Sequence, residues 1–87
     1  MAIGSAGFSP SIIEDGIYNI IDKPEYIQSS EEYTEQAMRA VKSFLTTCRV
    51  KWHCIWDNYP DNSGASVSFA WIECGDLHHI VLNVKYD

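Results

Sequence analysis

The stretch Ala65-Ser66-Val67-Ser68-Phe69-Ala70-Trp71-Ile72-Glu73-Cys74-Gly75-Asp76-Leu77-His78-His79-Ile80-Val81-Leu82-Asn83-Val84 decides the fold. Large apolar side chains recur at alternate positions on both sides of a Gly-Asp pair, which reads as two strands joined by a tight turn. Taking Gly75-Asp76 as the two-residue turn sets Trp71 opposite Ile80, Phe69 opposite Leu82 and Val67 opposite Val84. These three pairs share one face. The other face carries Ile72 with His79, Ala70 with Val81, and Ser68 with Asn83. A slip of one residue would exchange the faces, so the sorting into an apolar and a mixed side supports a hairpin.

The alternation extends upstream. Val50, Trp52, Cys54 and Trp56 alternate with Lys51, His53, Ile55 and Asp57, predicting a strand. Residues 58–64 are dense in turn formers and predict a loop. Ahead of this the period changes to that of a helix. Tyr33, Ala37, Ala40, Val41, Phe44, Leu45 and Cys48 step by three or four, and Ser29 with Glu32 has the spacing of a capping box. Glu35 and Arg39 form an i,i+4 pair on the same segment. A shorter helix is predicted over Ser11–Asp22, with Pro10 at its start, Ser11 and Glu14 as a second capping box, and Ile13, Ile17, Ile20 and Ile21 near one face. Gly16 weakens it, and Lys23-Pro24 ends it. The predicted fold is α+β: two helices and then a three-stranded antiparallel meander (ααβββ), the helices packed on one sheet face. Residues 1–9 are expected to be a flexible N-terminus, and 10–87 one compact domain.

Composition bounds the function. With 87 residues the chain has room for one domain, and 46% hydrophobic content is too high for a disordered tail. No run is long and apolar enough to span a membrane, and the first residues lack the charged and apolar regions of a secretory signal. Cys48, Cys54 and Cys74 are an odd set without paired spacing, which predicts reduced, largely buried thiols and a cytoplasmic protein.

Catalytic templates are missing. There is no phosphate-binding glycine loop, zincin helix or serine elbow, and no enzyme activity or cofactor is expected. His53, Cys54, Cys74, His78 and His79 are candidate zinc ligands by chemistry. Adjacent strand residues point to opposite faces, which splits His53 from Cys54 and His78 from His79, so no metal site is expected. His78 is expected to pair with Glu73 across the hairpin, and Cys54 and Cys74 to pack inside.

Charge is segregated along the chain. Residues 1–35 hold seven acids and Lys23, residues 36–56 hold four bases and no acid, and residues 57–87 hold five acids and Lys85. The net charge of -6 therefore describes a polarised chain. Bases interleaved with aromatics from Arg39 to Trp56 have the form of a nucleic-acid surface, but the acidic flanks would repel phosphates, so direct nucleic-acid binding is not expected. Glu25, Glu31, Glu32, Glu35, Asp57 and Asp61 are the candidate contacts to a protein partner with a basic surface. Ile55, Ile72 and Val81, with Ala70, form a candidate self-association face ringed by polar residues.

In size, charge and architecture the chain resembles the small acidic inhibitors of phages and mobile elements, anti-CRISPR proteins among them, and the immunity proteins that neutralise toxins. That resemblance implies a non-enzymatic binding protein that occupies a partner's surface. The alternative expectation is a small accessory subunit that homodimerises through its sheet face.

Overall fold

A computed structural model describes residues 11–21 and 27–87. The expectations for residues 1–9, Pro10, the Lys23-Pro24 stop and Glu25 lie outside the described residues. The elements are α1 (Ile12–Ile21), β1 (Ile27–Ser29), α2 (Glu31–Thr47), β2 (Trp52–Asn58), β3 (Gly64–Glu73) and β4 (Asp76–Tyr86). The fold is α+β, as the periodicities indicate, but the sheet has four strands in the order β1-β4-β3-β2. The three strands of the meander are antiparallel, and β1 adds to β4 in parallel, with Ile27 opposite Val84 and Ser29 opposite Tyr86. The sequence Ile27-Gln28-Ser29 is too short to show a period of two. Its strand character comes from a partner far along the chain, so local reading missed it.

Both helices cover one face of the sheet. Ile13 and Ile17 of α1 and Met38, Val41 and Leu45 of α2 pack on Val67, Phe69, Trp71, Ile80, Leu82 and Val84, all buried. Trp52, Cys54 and Trp56 of β2 pack at the margin of this core. In α2 the buried stripe is Thr34, Met38, Val41 and Leu45, while Tyr33 is 63% exposed. Relative to the stripe expected from apolar residues alone, the face is rotated by roughly 60°, at 100° per residue. The rotation has a cause. Phe44 leans on Gly16 of α1, where a Cβ would collide with its ring, so Phe44 serves the helix-helix contact and Met38 meets the sheet. Gly16 therefore buys close approach of the two helices for its loss of helix propensity.

The cap of α2 is Ser30, not Ser29. Its Oγ accepts from the Tyr33 N–H at 3.0 Å. Ser29 is held in β1, and its hydroxyl meets that of buried Thr34 at 2.7 Å. At the other end Arg49 takes φ 59°, a left-handed residue that terminates the helix without a glycine.

The β3–β4 turn is Cys74-Gly75, not Gly75-Asp76. Both residues have positive φ, 52° and 84°, as a type I′ hairpin requires. The pairs are Trp71 with His78, Phe69 with Ile80, Val67 with Leu82 and Ala65 with Val84. This register differs from the expected one by two residues, and an even slip leaves every side chain on its expected face. Three expectations fall with it. His78 does not pair with Glu73 but stacks on Trp71, with ring centroids 5.7 Å apart and planes 11° from parallel. Cys74 sits exposed in the turn rather than packed inside, and Cys48 and Cys54 are half-buried, so the thiols are not largely buried as expected. His79 lies opposite Ala70, not Ile72.

Gly64 lies opposite Lys85, where an added Cβ would run into the Val84 carbonyl oxygen. Gly64→Ala is expected to destabilise the fold by about 2 kcal/mol, since backbone must shift to relieve the overlap. Cys74→Asn creates the preferred Asn-Gly turn and is expected to stabilise by about 0.5 kcal/mol. Urea midpoints of the two variants, shifting in opposite directions, check both.

Candidate functional site

Glu73 is the first carboxylate to separate structural from available charge. Its Oε1 accepts from Ser11 Oγ at 2.6 Å and from the Trp71 indole at 3.0 Å, and its Oε2 accepts from the Ile12 N–H at 3.2 Å. Ser11 Oγ in turn accepts from the Glu14 N–H at 2.9 Å. The carboxylate at the start of α1 thus comes from β3, where the sequence suggested Glu14. Burial alone would raise the Glu73 pKa, but the bonds from Ser11, Trp71 and the backbone of Ile12 and Ile13 outweigh it and hold the group below its ordinary value.

The first turn of α2 presents charge of another kind. Glu31 and Glu32 are exposed, and among the described residues no hydrogen bond or ion pair engages either carboxylate. Glu35 reaches Arg39 at 4.0 Å, a solvent-screened contact of small energy. Glu31, Glu35, Arg39 and Lys42 line one wall of a groove whose other wall is Trp56 of β2. At one end of the groove Trp56 Nε1 and the Tyr86 hydroxyl both donate to Asn58 Oδ1 at 3.0 Å. Burial raises the Tyr86 phenol pKa, and the Glu31 carboxylate raises it further.

The other expected acidic contacts lie elsewhere. Asp57 is opposite Ser66, on the sheet face turned away from the helices. Asp61 is in the β2–β3 loop, where its Oδ1 accepts from the Ser63 N–H and hydroxyl at 3.0 and 2.7 Å. Those bonds, the hydroxyl's first, lower its pKa. The structure thus groups Glu31, Glu32 and Glu35 on α2 and does not bring Asp57 or Asp61 to them.

The open sheet face is half apolar. Ile55, Ile72 and Val81 are 53%, 40% and 49% exposed, and Leu77 joins them at 71%. Ile55, Ser68 and Val81 form one cross-strand row, His53, Ala70 and His79 the next, and Ile72 faces Leu77 beyond it. Leu77 was missed as a member, although it shares odd-numbered parity in β4 with His79 and Val81.

Thiolate chemistry at Cys54 is disfavoured by its setting. Burial raises the Cys54 thiol pKa, with Lys42 lowering it only in part, so the thiol stays protonated at neutral pH. His53 projects from the opposite face of β2. Among the described residues no cluster of three His, Cys, Asp or Glu side chains is placed to hold a metal ion, and none of the helices is long and apolar enough to cross a membrane. Comparison with protein families, curated proteins and solved structures returns no match to the chain.

Glu73 also sets an acid limit on stability. Its pKa is lower folded than unfolded, so its contribution is complete above the ordinary value of 4.5 and is lost as pH falls through the folded value. Glu73→Gln is expected to cost about 1–2 kcal/mol at pH 7 and to flatten the loss of stability below the ordinary carboxylate range. Urea titrations at a series of acidic pH values, with Glu32→Gln as the control at an exposed carboxylate, test this.

Proposed function

We propose that the chain is a non-catalytic binding protein that occupies a basic surface of another protein, in the manner of small acidic inhibitors and immunity proteins. The observation that carries this reading is the division of labour among the carboxylates. Glu73 is consumed by the fold. Glu31 and Glu32 stand exposed at the start of the long helix with no bond to engage them among the described residues, and Glu35 extends the acidic side by one turn. The rigid helix fixes their spacing, so little ordering entropy is lost when they meet cationic side chains. Exposed charges of this sort act chiefly on the rate of association and on specificity.

A second reading is favoured by the open sheet face. Ile55, Ile72, Leu77 and Val81 give it an apolar centre, and polar residues surround them. A second copy stacked face to face would bury that centre, making the chain a homodimeric accessory subunit.

The acidic reading is tested with Glu31→Lys, Glu32→Lys and Glu35→Lys combined. Immobilised wild-type chain should retain a basic protein from lysate of its source at low salt. Against that protein in purified form, the triple variant should associate about tenfold more slowly and with a shallower salt dependence. An unchanged rate and salt slope defeat the electrostatic mechanism. Loss of self-association in Val81→Lys, with partner binding intact, would instead establish the face-to-face reading.

A further inference from the structure

Among the described residues the outer side of β2 is a free edge. The sheet order places it outermost, and its seven residues pair with β3 without a bulge. The Ile72 N–H donates to the Lys51 carbonyl, and the Tyr59 N–H donates to the Gly64 carbonyl. Odd-numbered residues of β2 therefore turn their backbone groups toward β3. By alternation, the N–H and C=O of Trp52, Cys54, Trp56 and Asn58 point out of the sheet. Such edges are usually blunted by a lysine, a proline, a bulge or a very short strand, and β2 has none of these.

The helix beside this edge has two signs of charge in a definite order. Phe44 occupies the flank of α2 that faces α1, so the opposite flank, with Glu31, Glu35, Arg39 and Lys42, lies along β2. Acids come first and bases follow. Lys42 acts on the Cys54 thiol, while Glu31 acts on the Tyr86 phenol at the Asn58 end, so α2 and β2 run in opposite directions. A two-fold axis normal to the sheet at this edge reverses both elements in a second copy. The acidic end of one groove then meets the basic end of the other.

We propose that two copies of this chain pair antiparallel along β2, joining their sheets into one of eight strands with the α2 helices side by side. The axis falls at Ile55. There Ile55 meets its own copy, His53 faces Asp57 of the second copy, and the outward backbone groups of Cys54 bond those of Trp56 of the second copy. The same axis is placed to set Glu35 opposite Lys42 of the second copy, each displaced along its own helix by roughly 5 Å from the level of the axis at 1.5 Å per helical residue. The interface is isologous and closes on itself, so it ends at a dimer. It uses the strand edge, whereas the face-to-face reading uses the sheet surface, and it does not depend on the acidic docking of a foreign partner.

Sedimentation of the full chain over a wide concentration series reads the outcome. Wild type is expected to dimerise. Cys54→Pro removes an outward N–H while sparing the β3 ladder and should weaken the dimer at least about tenfold. Glu35→Lys and Lys42→Glu should each weaken it about tenfold, and the two combined should restore it, because the swapped charges again face opposites. Circular dichroism confirms folding, and the charge swap needs no change in the strand should the proline variant fail to fold. A wild-type chain that stays monomeric throughout overturns the proposal. So does a dimer indifferent to these changes but abolished by Val81→Lys, which would place the second copy on the sheet face.

Discussion

The register of β3 against β4 is the constraint from which the rest of the structure follows. It is set by two left-handed residues, Cys74 and Gly75. With that turn in place Trp71 lies opposite His78 and the two rings stack. Glu73 ends β3 beside the turn, where its carboxylate reaches Ser11 and the Ile12 N–H and ties α1 to the sheet. At the far end the same register lays Gly64 against the Val84 carbonyl, a contact no larger residue allows. A two-residue shift would preserve every face and lose the Trp71–His78 stack and the Gly64–Val84 approach. Uniqueness therefore comes from the polar and close-packed positions, and the apolar alternation alone supplies only the choice of face.

That distinction explains what was legible in the sequence. Alternation in β2, β3 and β4 identified which residues face the helices, because burial is a property of parity. It was blind to an even slip, so Glu73 was assigned to His78 when it belongs to Ser11. The turn itself carried a usable signal. A type I′ turn needs positive φ at both central residues, and glycine fits its second position in Cys74-Gly75, whereas Gly75-Asp76 would put aspartate there. In α2 the period was plain but the phase was wrong. Counting only apolar residues gave weight to Tyr33 and Ala40, whereas the buried face includes Thr34, whose hydroxyl is satisfied by Ser29 and the Ser30 carbonyl. A buried polar residue whose partners are a neighbouring strand and its own cap is invisible to a hydrophobic stripe. The strand β1 was hidden for a related reason, since its identity lies in its pairing with β4.

For the candidate site, the sequence located the charges but not their grouping. The trio Glu31, Glu32 and Glu35 follows from helical spacing, and the structure keeps it together. Asp57 is separated from it by strand parity, and Asp61 is bound within its own loop. The segregation of acids and bases along the chain takes on a new meaning in three dimensions. Because one flank of α2 lies along Trp56 of β2, a helix whose charges run from acidic to basic makes a groove that is acidic at one end and basic at the other.

The topology also decides which edge of the sheet is left open. Addition of β1 to β4 caps that side with a three-residue strand, and Asp87 extends the join by donating its N–H to the Ser29 carbonyl at 3.1 Å. Among the described residues nothing comparable covers β2, so the long edge they leave open is also the one beside the two-signed groove. These two features act on an incoming strand in different ways. Backbone groups attract any extended segment and do not discriminate among partners. The ordered charges of α2 discriminate, because a partner whose own charge order is reversed relative to this one sets acid against base at Glu35 and Lys42. A two-fold copy of the chain meets that condition by symmetry. Such a pairing sets Arg39 nearest the axis, with Glu35 and Lys42 equally far to either side of it, and leaves Glu31 and Glu32 toward the outer ends of the assembly. A chain of net charge -6 would then present two separated acidic ends, a geometry suited to engaging basic surfaces at two places at once.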